Sequence, residues 1–311
     1  MASMLERPLR ATILAAAKSS AVQQIVARYG MRMGARRFVA GESEDDFLTV
    51  AAAMNAVGFA VACGILGEGV TDAAEATIAA EQYCDLLQTF SKRGMNVNVA
   101  FKLTHVGLDI DPELAYANAA RIAQTAFEAG NTTRLDMEQS RYVDATLAVY
   151  RRLRERYACV GFALQSYLYR SFEDLQSILH LEPNVRIVKG AYLEPSEIAF
   201  TKKSEVDANY MRLIETALSA SGYTAIATHD PAIIARVESF AAARNVPKQG
   251  RFEFQMLYGI GSPLSRDLVA RGYRVRLAIP FGGYWFPYLM RRLAERPANL
   301  AFFLKGAFSR P

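Results

Sequence analysis

The residues of this chain that could do chemistry gather where short apolar runs end. Glu68 follows the first such run, Lys102 closes the second, and Asp136 with Glu138 closes the third. Gln165 ends the fourth, Lys189 the fifth with Arg186 inside it, Thr228-His229 the sixth, and Gln255 stands near the end of the seventh. Carboxylates, cations and amides arranged this way suit the binding and polarisation of a small charged molecule. A lysine on a strand also suits Schiff-base chemistry, for which Lys102 and Lys189 are the candidates. Taken singly, each residue reads as a strand meeting water, and that is the plain reading of Glu138. Lys102 and Arg186 stand out because each lies within an otherwise apolar run, where a cation without a partner is costly.

A second constellation lies on the last helical pattern, Tyr284–Arg296. Tyr288, Arg291, Arg292 and Glu295 recur at i, i+3, i+4 and i+7, which is one helix face. Such a face is either solvated with an internal Arg–Glu pair or, with an aromatic beside adjacent guanidinium groups, a two-pronged clamp for a carboxylate.

The elements that must carry these groups follow from periodicity. Continuous apolar runs at Gly58–Leu66, Val97–Leu103, Thr133–Met137, Val160–Gln165, Val185–Val188, Tyr223–Ala227, Phe252–Leu257 and Arg274–Pro280 read as parallel strands covered on both faces. Helical patterns separate them, among them Asp111–Gly130, Ala145–Arg156, Ser171–Leu181 and Val206–Ser221. The spacing predicts an α/β fold, a distorted (β/α)8 barrel, in which strand-end residues converge on one mouth. A helical segment over 1–56 precedes a barrel over 57–311, and Leu300–Leu304 is a tail packed on it. A doubly wound sheet is the rival, but Gly259-Ile-Gly261-Ser-Pro-Leu264 lacks the third glycine of a dinucleotide fingerprint, and no P-loop occurs.

Composition narrows the classes. The 311 residues are 51% hydrophobic and 22% charged, which is the balance of a folded protein. A net charge of +5 with acids mixed among the bases argues against nucleic-acid binding and fits an anionic substrate. Cys63, Cys84 and Cys159 form no C-x-x-C and imply a reducing compartment, while His105, His180 and His229 are too scattered for a zinc site. Residues 1–37 hold seven Arg/Lys and one Glu, read as basic amphipathic helices on the domain. The 18 residues Val50 to Gly67 just reach the length of a membrane span. Gly58, Gly64 and Gly67 interrupt them, so a helix at Glu44–Ala56 turning into a strand is the expectation. A non-catalytic scaffold on a membrane surface would leave the charged strand ends without purpose.

Several strings resemble the proline dehydrogenase family. They are Leu66-Gly67-Glu68, Val99-Ala-Phe-Lys102-Leu, Arg134-Leu-Asp136-Met-Glu138, Leu164-Gln165-Ser-Tyr, Arg186-Ile-Val-Lys189-Gly190-Ala191-Tyr192, Ala227-Thr228-His229-Asp, Phe252-Glu-Phe-Gln255-Met-Leu257 and Tyr288-Leu-Met-Arg291-Arg292-Leu-Ala-Glu295. They occur in the family's order, and the short N-terminal part is similar to the compact bacterial enzymes of a single activity.

The resemblance implies FAD at the strand ends and the last helix across the mouth. It places Arg186 beside flavin N5, with Met137, Gln165, Lys189, Gly190, Ala191, Thr228 and His229 holding the cofactor. It makes Arg291, Arg292 and Lys102 the carboxylate clamp, Tyr288 and Glu295 the rest of the pocket, and Asp136 the group that orients the bases or stabilises an iminium cation. Glu68 would reach Arg291 as a gate. L-proline would be oxidised to Δ1-pyrroline-5-carboxylate by hydride transfer, with electrons passed to a membrane quinone from a cytoplasmic protein in peripheral membrane contact. Finally, Ala278 stands where the proline-specific enzymes generally have a tyrosine, which implies tolerance of hydroxyproline unless Tyr284 or Trp285 fills the gap.

Overall fold

The structure, a computed structural model, describes residues 34–67 and 69–295, and for residues 291 and 293–295 the backbone alone. Its strands are β1 (Ala60–Ile65), β2 (Val97–Phe101), β3 (Thr133–Leu135), β4 (Val160–Gln165), β5 (Asn184–Val188), β6 (Tyr223–Ala227), β7 (Phe252–Leu257) and β8 (Val275–Phe281). Each pairs in parallel with the next, and β8 returns to β1 from Ala60↔Arg276 to Ile65↔Phe281, closing the barrel. Helix α1 (Glu44–Ala56) precedes the barrel. Helices α2 (Ala73–Lys92), α3 (Pro112–Glu128), α4 (Val143–Arg154), α5 (Ser171–Gln176), α6 (Lys203–Ser219), α7 (Pro231–Ala243) and α8 (Ser262–Ala270) follow β1 to β7 in turn, and α9 (Trp285–Glu295) follows β8.

Local chemistry sets these boundaries. Ser43 caps α1 by accepting from the Asp46 N–H at 3.1 Å. Asp72, Asp111 and Asp230 cap α2, α3 and α7, the last two with a proline in the first turn. The stretch from Val50 to Gly67 is the end of α1, a turn and β1. Among the described residues no helix is long and apolar enough to cross a membrane. Two expected strands end early. Lys102 and Asp136 lie just beyond β2 and β3, and after Lys102 a 3-10 turn at Leu103–Val106 takes over. Lys102 is therefore a strand-exit residue and not an intrastrand cation; Arg186 does lie within β5. Residues 1–33, Glu68 and the expected tail Leu300–Leu304 fall outside the described residues.

The apolar core lies between strands and helices, where Phe47 of α1 meets Phe281 and Phe90 at ring distances of 5.0 and 5.8 Å. Inside the barrel the composition is different. Its N-terminal floor holds Arg134, Glu253 and Arg276, none more than 5% exposed. Arg276 and Arg274 pair with Glu253 at 2.8 and 3.1 Å, and Gln255 donates to the same carboxylate at 2.6 Å. Burial alone would raise the Glu253 carboxyl, but Arg276 and Arg134 outweigh it and hold the group at about 2. Arg134 donates to Asn184 Oδ1 at 2.5 Å. Gly161 stands between them in the register, and a Cβ there would lie 2.6 Å from the Asn184 carbonyl oxygen.

Above this floor Ala62, Gly64, Ala100, Ala163, Ala227 and Ala278 border open space. Barrels are ordinarily filled by branched side chains. Small residues leave this one hollow towards the C-terminal ends of its strands, and that hollow is the site.

Candidate active site

The hollow has two chambers, of about 290 and 550 Å³, within the usual range for ligand pockets. They adjoin at shared residues, among them Lys102, Asp136, Arg186, Tyr192, Ala278 and Arg292. Arg186 forms an ion pair with Asp136 at this junction. Leu135 is opposite Phe162, so Asp136 follows opposite Ala163, which itself pairs with Arg186. A small residue thus lets a long side chain reach over one strand to its counter-ion. Arg186 Nε is buried and has no hydrogen-bond partner in the protein, an uncommon state for a buried donor.

The larger chamber is bordered by Met137, Gln165, Lys189, Gly190, Ala191, Thr228 and His229 together. Lys189 Nζ lies 2.5 Å from Asp207 and 3.9 Å from Asp230, and Lys203 pairs with the same two carboxylates. Burial would raise the Asp207 carboxyl, but the two ammonium groups win and hold it below its usual range. Gly190 has φ +117°, and a Cβ there would collide with the Tyr167 ring, so only glycine fits at this bend. The Leu257 N–H donates to His229 Nε2 at 3.0 Å, which puts the proton of the neutral ring on Nδ1. Gln165 donates to the Glu138 carbonyl at 2.8 Å.

Glu138 itself is not a water-facing strand end. It is 4% exposed, and its carboxylate accepts from the Thr104 N–H and hydroxyl at 3.2 and 2.8 Å, clasping the loops after β2 and β3. Burial raises its carboxyl above the ordinary value, and the Thr104 bonds oppose that shift.

The smaller chamber is bordered by Lys102, Tyr288 and Arg292, with the Arg292 guanidinium 5.3 Å from the Tyr288 ring centre. Helix α9 therefore overlies the mouth. The side chains of Arg291 and Glu295, like Glu68, lie outside the described residues. Ala278 borders both chambers. Trp285 does not fill the space beside it: it is 2% exposed and donates from Nε1 to Glu42 at 2.7 Å, away from the chamber walls. Tyr284 borders the smaller chamber while 73% exposed.

Sequence reasoning missed Lys203, Asp207 and Asp230, which come from the heads of helices and show only an i, i+4 spacing. It also passed over the floor. Counting back two residues from Asp136, Arg186, Gln255 and Ala278 gives Arg134, Asn184, Glu253 and Arg276, the strand period that would have found them. As built, the site can hold an extended ligand in the larger chamber against a small anion in the smaller one.

Comparison with known proteins agrees on one family. Residues 47–305 match the family model described as proline dehydrogenase. The chain is 42% identical over 308 residues to a proline dehydrogenase of Deinococcus radiodurans, covering 97% of this chain and 99% of that one. It is 38% identical over 298 residues to proline dehydrogenase 1 of Bacillus subtilis, covering 96% and 98%. Among solved structures, proline utilization A from Bdellovibrio bacteriovorus, inactivated by N-propargylglycine, superposes with a TM-score of 0.81 at 29% identity. That match covers 90% of this chain and 34% of the other, so this chain spans about a third of that longer protein.

Proposed function

This chain belongs to the proline dehydrogenase family, and on that premise we propose that it oxidises L-proline to Δ1-pyrroline-5-carboxylate with FAD in the larger chamber. The observation that carries this is Arg186: fixed by Asp136 at the junction of two chambers, it keeps a buried Nε donor with no protein partner. The residues present fit a flavin. A glycine bend at Gly190, a lysine in a carboxylate network at Lys189, and donors on Gln165, Thr228 and His229 border a chamber that small residues keep open. FAD bound there supplies the hydride acceptor and the outlet for electrons to a membrane quinone.

The remaining work falls to the chain's own side chains. Lys102 and Arg292, with Arg291, bind the substrate carboxylate, a two-pronged match of guanidinium to carboxylate. Tyr288 packs beside the ring, and Glu295 meets the amine. The secondary amine must be neutral when its neighbouring C–H bond breaks, and Asp136 then faces the positive charge that grows on the nitrogen. Helix α9, with Glu68 as a gate towards Arg291, excludes water from the reacting centre. The electron outlet implies a cytoplasmic protein in peripheral contact with the membrane. A Schiff-base aldolase would need a lysine free to attack a carbonyl, whereas Lys189 is engaged by Asp207.

The absorption spectrum of the purified protein tests this directly. Flavin bands that bleach on anaerobic addition of L-proline are expected. A colourless protein, or flavin that proline leaves oxidised, overturns it.

A further inference from the structure

The barrel floor holds more positive charge than it neutralises. Arg134, Arg274 and Arg276 share a single carboxylate, Glu253, and Arg186 one step higher has Asp136. Arg276 and Arg274 make direct ion pairs with Glu253. Arg134 has none: its bond goes to the neutral amide of Asn184, and its Nε is buried without a partner. A guanidinium 3% exposed and bonded to an amide is expensive to keep unless something nearby repays it.

Arg186 above it adds to that cost, so the position shows where the charge acts and not what offsets it. Asn184 lies two residues before Arg186 on β5, so Arg134 is anchored directly beneath Arg186, about 7 Å along the strand. Gly161 leaves the space that lets the guanidinium reach its anchor. Burial first and then the Arg186 charge push the Arg134 guanidinium down to about 10, so the two cations feel each other through the barrel axis. Arg134 is still cationic at neutral pH.

We propose that Arg134 is an electrostatic positioning residue, a buried second cation beneath Arg186 that favours the negative charge of the reduced cofactor over the neutral oxidised form. This rests on the flavin reading above. Arg134 touches neither substrate nor the larger chamber's wall; its charge acts upward along the axis, where a low-dielectric interior screens it weakly. A purely structural arginine would need only its bond to Asn184. The charge matters if the cofactor's reduction potential follows it.

The test compares bound-flavin midpoint potentials, measured by equilibration with a reference dye. Arg134→Gln keeps a donor for Asn184 but loses the charge. It should lower the reduced-to-oxidised ratio at a fixed potential about tenfold, or about 30 mV for a two-electron couple. Arg134→Lys, which restores the charge, should stay within about twofold of the parent. Asn184→Asp is nearly isosteric, keeps the guanidinium and gives it a counter-charge; it should move the potential in the same direction as Arg134→Gln and covers the case in which that variant does not fold. Equal shifts in the Lys and Gln variants, or a potential unmoved in both Arg134→Gln and Asn184→Asp, overturn the inference while leaving the flavin reading intact. A parent protein that binds no flavin overturns both.

Discussion

Arg186 and Asp136 belong to the registers of strands on either side of β4, and they meet because the residue between them is Ala163. The ion pair therefore depends on a methyl group as much as on its two charges. Replacing Asp136 by Asn should lower kcat/KM by about 2–5 kcal/mol of transition-state stabilisation, the loss expected when one member of a half-buried charge pair that the bound ligand desolvates is truncated. Ala163→Leu should approach the same loss although it touches no charge. Steady-state kinetics with L-proline check both, and a normal Ala163→Leu enzyme would show that the pair forms by another route.

Arg292 overlies the junction from α9 and is stacked near Tyr288. Arg292→Met should raise KM for proline and weaken kcat/KM by about 2–5 kcal/mol. Flavin content, read from the ratio of visible to ultraviolet absorbance, should hardly change. Loss of flavin with normal proline kinetics in the remaining holoprotein would assign Arg292 to the cofactor instead.

Ala278 borders both chambers, and the indole of Trp285 is turned away to Glu42. The space beside Ala278 is thus kept open unless Tyr284 moves in. The parent should accept trans-4-hydroxy-L-proline unusually well, and Ala278→Tyr should shift the kcat/KM ratio towards proline by about 10–200-fold. An unchanged ratio would mean that residue 278 does not face the ring.

Much of this was legible in the residues alone, and the gaps have physical causes. β4, β6 and β7 begin and end where their apolar runs do, because both faces of a parallel strand are covered. α1 is legible for a similar reason, its start fixed by Ser43 and Asp46. β2 and β3 run shorter than expected since Lys102 and Asp136 already belong to the turns, where periodicity carries no information. The strand-end residues of the site were visible as polar punctuation. Glu253 and Arg276 were passed over, because a charge inside an apolar run does not say which strand holds its partner, and only the period of two below the mouth residues points to them. Lys203 and Asp207 meet Lys189 only through the tertiary fold.

Glu253 makes the fold sensitive to acid. Its carboxyl ionises at about 2 in the folded protein against an ordinary 4.5, so between those values the folded chain binds fewer protons than the unfolded one. Its contribution is complete above pH 4.5 and is lost as pH falls towards 2, to the extent of about 3 kcal/mol. Glu253→Gln should cost about 3–5 kcal/mol at neutral pH, since it leaves buried arginines without their counter-ion, and should flatten the acid limb. Denaturant midpoints followed from neutral pH to pH 3 check this. An acid limb unchanged in the variant would assign it to other carboxylates.

The bond from Trp285 to Glu42 ties the root of α9 to the segment that leads into α1. That segment also holds the end of β8, through the Ala40 N–H on the Pro280 carbonyl at 2.9 Å and the Gly282 N–H on Gly41 at 3.0 Å. Trp285 is the only tryptophan in the chain. Its emission therefore reports from one point, the pivot of the helix that roofs the mouth. A red shift on titration with ligand would record that pivot loosening into water, and unchanged emission would record a roof that stays clamped while the chamber fills. The protein thus carries its own optical probe at the root of the helix that borders its site.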